Sequence, residues 1–212
     1  MRTYDVSVTI SKDLAMPPGA PQPVVAPLMK VEEGYPFSIF MLAFVDHCGT
    51  HVDAPYHFEA DGSKVDELPL DVLIGRARVV ELAVERAIER ADLERLDLRG
   101  VERLLLKTRN SAIVHSKEYK KDSVYLDPGA AELLVERGIK LVGIDYWSVE
   151  AYGSQDHRTH HTLLRARVVI VELLDLSQIA PGDYELICLP LKVRGAGGAP
   201  ARVVLRELPD QR

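Results

Sequence analysis

Two cysteines, Cys48 and Cys188, are all that the 212 residues contain, too few for a disulfide framework in a chain of this length. No stretch approaches the ~18 uninterrupted apolar residues of a membrane span. The opening "MRTYDVSVTISKDL" also lacks the apolar core of a secretory leader. These absences make the cytoplasm the expected location and leave no membrane partner. Basic clustering is missing as well. The net charge is −6, and the 26 Lys and Arg are scattered among Glu and Asp, so no nucleic acid partner is expected. Internal repeats and low-complexity linkers are absent. What remains, 47% hydrophobic and 27% charged residues, is the composition of an ordinary globular protein. A chain of this length is most economically one domain, 1–212.

Along the chain, strand signals outnumber helix signals. "TYDVSVTI" (Thr3 to Ile10) is rich in β-branched residues and predicts an opening strand. "MPPGAPQPVVAP" follows, with five prolines between Pro17 and Pro27. That composition excludes a helix and suits an extended loop, either a stiff connector or a cover for a pocket. "FSIFMLAFV" (Phe37 to Val45) is a continuous apolar run and predicts a strand buried on both faces. Further strands are predicted at Gly75–Leu82 and Val101–Thr108. "LDPGAAELLVERGIKLVGIDY" predicts a helix with Asp127 as its N-cap, Pro128 in its first position and Gly138 at its end, and then a strand. His161–Leu173 passes from a short helix into a strand. "ELICLPLKV" and "ARVVLREL" close the chain as strands joined by the "RGAGGAPA" turn. The pattern predicts an α/β domain whose mixed sheet curls toward a barrel.

Chemistry concentrates in two places. "DHCGTHVDAPYHF" brings His47, His51, Asp53 and His57 into one short stretch. All four share one parity, so on an extended backbone they point to one side. A straight run would set His47 and His57 roughly 33 Å apart, so convergence requires bends, for which Gly49 and Pro55 are suited. Imidazole and carboxylate are the usual ligands of zinc, manganese and similar ions. The alternative reading is a polar loop whose histidines bond to backbone. The second place is "QDHRTHHTLLRARVVIVEL", with His157, His160, His161 and then Glu172 inside an apolar strand. A carboxylate in such a strand is usually paired or metal-bound. Six of the seven histidines thus fall in two short regions, and His115, in a polar segment, is expected at the surface. Two divalent ions, two carboxylates and a bridging hydroxide would leave a single net positive charge to bury, and such a hydroxide is a nucleophile at neutral pH.

The "HCGTHVDAPYH" stretch resembles the HxGTHxDxPxH motif of metal-dependent cyclase-type hydrolases, a family that includes bacterial kynurenine formamidases and isatin hydrolases. "DVSVTI", "GIDYWSVE" (Gly143 to Glu150), "HHTLLRARVVIVELL" and "LPLKVRGAGGAPARVVL" resemble the same family in its order, so the resemblance covers most of the chain. It implies a swivelling β/β/α fold, a small-molecule substrate, two divalent metal ions per subunit (zinc or manganese foremost), and assembly into homodimers or homotetramers. His47, His51 and Asp53 match the first ligand group, with Asp53 bridging, and Glu172 matches the second bridging carboxylate. The remaining histidine ligand of the family precedes a Leu-Leu pair by three and four residues, which selects His160 because Leu163 and Leu164 follow. His57 matches the proton donor and acceptor. One departure concerns substrate: many kynurenine formamidases carry an aromatic residue in the Pro/Gly-rich loop after the first strand, and "MPPGAPQPVV" has none.

The resemblance implies hydrolysis of an amide, cyclic amide or ester carbonyl. Two competing readings are a polyketide-type cyclase or lyase, using the same metals to stabilise an enolate, and a module whose metals serve folding alone. The remaining candidates have plainer expectations. Cys48 and Trp147 are read as packed residues, His157 and His161 as outer groups, and Lys192 and Arg194 as a solvated strand end. The glycines of "RGAGGAPA" read equally as a tight turn or as an anion-binding backbone.

Overall fold

Residues 1–209 are described by the computed structural model, as an alternation of short helices and strands. In chain order these are β1 (Thr3–Asp5), β2 (Val24–Met29), β3 (Ile39–Ala43), β4 (His51–Asp53), α1 (Leu70–Leu73), β5 (Ile74–Glu81), β6 (Ala87–Ile88), α2 (Arg90–Glu94), β7 (Arg103–Lys107), β8 (Tyr125–Leu126), α3 (Pro128–Glu136), β9 (Leu141–Ile144), α4 (Arg158–Arg165), β10 (Val169–Glu172), β11 (Gly182–Pro190) and β12 (Gly198–Glu207). The helix signal after Leu126 acts as its chemistry directs. Asp127 accepts a hydrogen bond from the Gly129 N–H at 2.8 Å, Pro128 takes the first helical position, and Gly138 ends α3 with φ +75°.

The main sheet closes on itself in the order β12-β11-β5-β7-β9-β10-β4, because β12 also pairs with β4. This is the expected mixed, barrel-like α/β sheet with few helices. Strands β5, β7, β9 and β10 run parallel, whereas β11, β12 and β4 are antiparallel to their neighbours. At ten residues, β12 is long enough to pair with β11 on one side and with β4 and then β1 on the other. Val52, Leu105, Val171, Leu186 and Leu205 fill the barrel. On the outer face Leu104, Leu106, Ile144 and Ile170 pack beneath Leu93 of α2, Leu134 of α3 and Leu164 of α4. Burial on both faces explains why the parallel strands read as unbroken apolar runs. Among the described residues no helix is long and apolar enough to cross a membrane.

Two expectations about the N-terminal third need correction. The opening strand is shorter than Thr3–Ile10: β1 ends at Asp5, after which Ser7 makes a single bridge to Leu174. The apolar run Phe37–Val45 is not a buried strand. Its β3 segment leaves the barrel and pairs only with β2 in a separate two-stranded ribbon, where all five β3 residues are exposed. Hydrophobicity predicted that both faces need cover but not what supplies it. The ribbon also takes in the end of the proline-rich segment, with Pro27 beside an irregularity in the pairing, a position where proline's missing N–H is tolerated.

Candidate metal centre

Strand β4 is three residues long and sits between β10 and β12, opposing Glu172 to His51 and Gly198 to Asp53. Val52 points into the barrel, so His51 and Asp53 face the opposite way, toward α4. Only this piece of the histidine-rich stretch is extended. Gly49 turns the chain at φ +67°, and Pro55–His57 forms a single 3-10 turn, so bends at the two foreseen residues bring the side chains together. Thr50 anchors the first bend: its hydroxyl accepts from the Val8 N–H at 2.8 Å and donates to the Leu173 carbonyl. Cys48 is buried among Val8, Met16 and Trp147, as expected of a packed residue.

All six residues singled out from the sequence converge. Asp53 Oδ1 lies 2.8 Å from His47 Nδ1 and 3.4 Å from His51 Nε2, and Asp53 Oδ2 lies 3.8 Å from His160 Nε2. Glu172 approaches His51 Nε2 at 3.4 Å and His160 Nε2 at 3.5 Å. The His57 ring lies 3.9 Å from that of His47 and 6.0 Å from that of His160. Ligand atoms fall within 4.8 Å of one another in two sets that share Asp53: His51, Asp53 and Glu172, and His47, Asp53 and His57.

These short approaches lack hydrogen-bond geometry. His51 Nε2 and both oxygens of the fully buried Asp53 have no hydrogen-bond partner. A carboxylate left so would cost several kcal/mol (order of magnitude), and a divalent cation removes that cost. The donor set, imidazole nitrogens with two carboxylates, therefore fits a metal. Tautomers agree. The Gly49 carbonyl can only accept, so the 2.8 Å contact fixes the proton of His51 on Nδ1 and leaves Nε2 free to ligate.

Charge balance in the cluster is set by burial against mutual attraction. Burial disfavours charge on Asp53, yet His47, His51 and His57 outweigh it and hold the carboxyl well below its usual range. Burial likewise opposes a charged His51, but Glu172 and Asp53 raise it to about 9. For His160, Glu150, Glu172 and Asp53 overcome burial and raise it to about 10. His57 goes the other way: burial lowers it to about 4, since the attraction of Asp53 is opposed by His47 and His160.

Sequence reasoning missed Glu150 and the seating role of the glycines, and read Phe58 beside His57 as a packed residue that could also wall a pocket. Glu150, buried, accepts from His160 Nδ1 at 3.1 Å and from the His160 backbone N–H at 3.2 Å, which aims Nε2 at the carboxylates. Phe58 stacks on the other side of that imidazole, ring centres 4.6 Å apart. Gly197 and Gly198 make room: a Cβ on Gly198 would meet His47 Cε1 at 2.8 Å and the Val52 carbonyl at 2.7 Å, and one on Gly197 would meet His57 Cα at 3.1 Å. The glycine run is thus a seat for two histidines, a role that appears only once β12 is paired with β4. As foreseen, the remaining histidines stand outside. His161 pairs with Glu59 at 2.6 Å, His157 is exposed, and His115 pairs with Asp175 at 2.7 Å on the surface.

The histidines and Glu172 form the floor of a cavity of about 380 Å³ walled by Phe58, Tyr119, Trp147 and Tyr152, with Pro17 and Pro18 at its edge. Trp147 is both packed, as expected, and part of this wall. The proline-rich loop is therefore a pocket boundary as well as a connector. In a cavity of similar size near Arg76, Arg78, Arg99 and Arg103, every lining arginine is already held among the described residues, Arg99 by Asp97 at 2.7 Å. Asp183 holds Arg76 and Arg78, and the carbonyls of Val72, Asp71 and Arg76 hold Arg103.

A family model described as "Putative cyclase" matches residues 4–151. The chain is 36% identical over 204 residues to a kynurenine formamidase of Bacillus anthracis, covering 96% of this chain and 97% of that protein. To the kynurenine formamidase of Geobacillus thermodenitrificans (strain NG80-2) it is 38% identical over 179 residues, 84% of each. Among solved structures, a potential metal-dependent hydrolase with cyclase activity superimposes with a TM-score of 0.86 at 31% identity, over 98% of this chain and 99% of the other. An isatin hydrolase bound to the product analogue thioisatinate gives 0.82 at 20% identity, over 96% and 91%, a likeness of fold.

Proposed function

The chain belongs to the putative cyclase family, as a metal-dependent hydrolase acting on C–N bonds other than peptide bonds, and from that premise we propose that its substrate is a small aryl amide, with N-formylkynurenine foremost. The observation that carries this reading is the buried Asp53 carboxylate, unpaired yet within reach of three imidazoles beside an aromatic-walled cavity.

In this reading His47, His51, Asp53, His160 and Glu172 would hold two divalent ions, and Asp53 and Glu172 each approach more than one of these histidines. Imidazole and carboxylate donors suit zinc or manganese. Such ions, when bound, supply Lewis acidity toward a carbonyl oxygen and acidify water. The chain does the rest. Gly49 and Glu150 orient the ligating imidazoles through their Nδ1 protons. His57, stacked on His47 at the cavity wall, takes up the proton released on attack and returns it to the departing nitrogen. Tyr119, Trp147 and Tyr152 offer the aromatic surface that the proline-rich loop lacks. Two buried free thiols accord with a reducing, cytoplasmic setting.

The test is formate release from N-formylkynurenine by protein stripped with a chelator and reloaded with zinc or manganese. Metal-dependent release is expected. Absence of turnover by protein that carries metal would move the substrate to cyclic amides or lactones.

A further inference from the structure

The turn that leads into α4 holds a strained residue whose side chain no part of the fold uses. His157 stands at the N-cap of α4 with φ +47°, and among the described residues it is the one non-glycine residue of positive φ that lines the cavity. A glycine would take this left-handed conformation at no steric cost, and Ser, Thr, Asp or Asn would cap the helix with a side-chain oxygen. His157 has neither advantage, since its side chain makes no capping hydrogen bond. Its backbone is engaged, the N–H donating to the Ser154 hydroxyl at 3.3 Å and the carbonyl accepting from the His161 N–H at 3.0 Å. The imidazole packs against Phe58, ring centres 5.3 Å apart, and its nitrogens have no hydrogen-bond partner among the described residues. A residue kept in a costly conformation with a free donor at the mouth of a pocket is an outlier of the kind found at ligand sites.

The charges around the cavity indicate what that donor meets. Only two carboxylates line it, Glu150 and Glu172, and both are buried and engaged with the histidines of the metal centre. The exposed part of the wall has none. There Tyr152, half exposed, carries the Lys121 ammonium 5.0 Å from its ring centre, and Lys121 makes no ion pair among the described residues. The outer end of the cavity thus offers a hydrogen-bond donor and a positive charge without a competing acid. On the reading that an aryl amide is hydrolysed at the centre, on which this inference rests, the reacting carbonyl lies at the floor and the rest of the substrate extends outward past Phe58. An anionic group suits that exposed end, because it need not be stripped of its water to be recognised. We propose that His157 is a specificity residue for a carboxylate on the outer end of the substrate, its imidazole N–H donating to a carboxylate oxygen while Lys121 adds charge attraction.

Kinetics of the metal-loaded full chain on N-formylkynurenine and on its carboxamide test this, since a neutral amide replaces the carboxylate and nothing else changes. The parent should favour the acid in kcat/KM by about tenfold, the effect of a hydrogen bond to a charged group at an exposed site. His157→Gly relieves the backbone and removes the imidazole; it should abolish the preference, through KM, with Tm close to that of the parent. His157→Asn tolerates the same backbone and keeps a donor, and should restore part of the preference. An acid preference that survives in the Gly variant, or is absent from the parent, overturns the proposal while formate release leaves the aryl amide reading standing. A marked fall in Tm with turnover lost on both substrates would make His157 a structural residue and overturn it equally. Formate from neither substrate with the parent would overturn the reading and the proposal together.

Discussion

Glu172 and His51 face each other across the antiparallel β10–β4 ladder, with carboxylate and imidazole 3.4 Å apart. Their register is set by backbone pairing, so the distance between the two halves of the centre does not depend on loop conformation. Five outcomes follow from this arrangement and its surroundings.

Metal should stabilise the fold, because it relieves the unpaired Asp53. At a hundredfold excess over the dissociation constant, binding contributes about 3 kcal/mol, a rise in Tm of roughly 6–12 °C for a chain of this size. Calorimetry with and without chelator measures it. Asp53→Asn should lose the metal-dependent shift; an Asn variant that keeps it would remove Asp53 from the ligand set.

Glu150→Ala should weaken metal binding by about 10–100-fold, the usual effect of losing the partner that orients a ligating histidine. Competition with a chromogenic chelator reads this directly. Glu150→Gln keeps an acceptor for His160 Nδ1 and should recover much of the affinity. Equal affinity in the Ala variant and the parent would show that the contact orients nothing.

His57→Ala should keep its metal and lose turnover by about 10²–10⁴-fold, the range for a positioned proton carrier. Metal content by elemental analysis is the deciding measurement. Loss of metal along with activity would make His57 a ligand, as its proximity to Asp53 and His47 permits.

A methyl group at position 198 has nowhere to go, with His47 Cε1 at 2.8 Å and a β4 carbonyl at 2.7 Å. Gly198→Ala should therefore displace His47 and cost about 1–3 kcal/mol of stability. Reduced metal occupancy with an unchanged far-ultraviolet spectrum is the expected signature. Full occupancy would mean that β12 shifts to accommodate the methyl.

The pH dependence of stability should include Asp183. The hydrogen bond from Arg78, helped by Arg76, holds its carboxyl down at about 2. A lowered folded-state pKa stabilises above the unfolded value near ~3.9, and that contribution is lost as pH falls through about 2. Solvent screening at this partly exposed site limits it to about 1 kcal/mol. Urea unfolding of Asp183→Asn and the parent should differ by that amount at neutral pH and converge in acid; a constant difference would assign the effect to packing.

Much of this was legible in the chain because it is local. Asp127, Pro128 and Gly138 mark a helix by their own conformational preferences, and one short motif holds four of the six clustered side chains. Other features depend on residues that meet only after folding. Glu150 is an ordinary acid until α4 brings His160 beside it, and Gly198 is one more turn glycine until β12 lies against β4. Phe37–Val45 shows the limit of pattern reading: apolar residues state a need for cover, and the monomer leaves that need unmet.

The closed ladder also separates two things that can change independently. His51, Asp53 and Glu172 stand on paired strands, whereas Pro17, Tyr119, Trp147 and Tyr152, which wall the cavity, lie outside any strand or helix. Substitutions in those connecting segments can recast the pocket's shape and polarity without moving the donor atoms of these three residues. Such a scaffold can acquire a new substrate while its reactive apparatus is inherited intact.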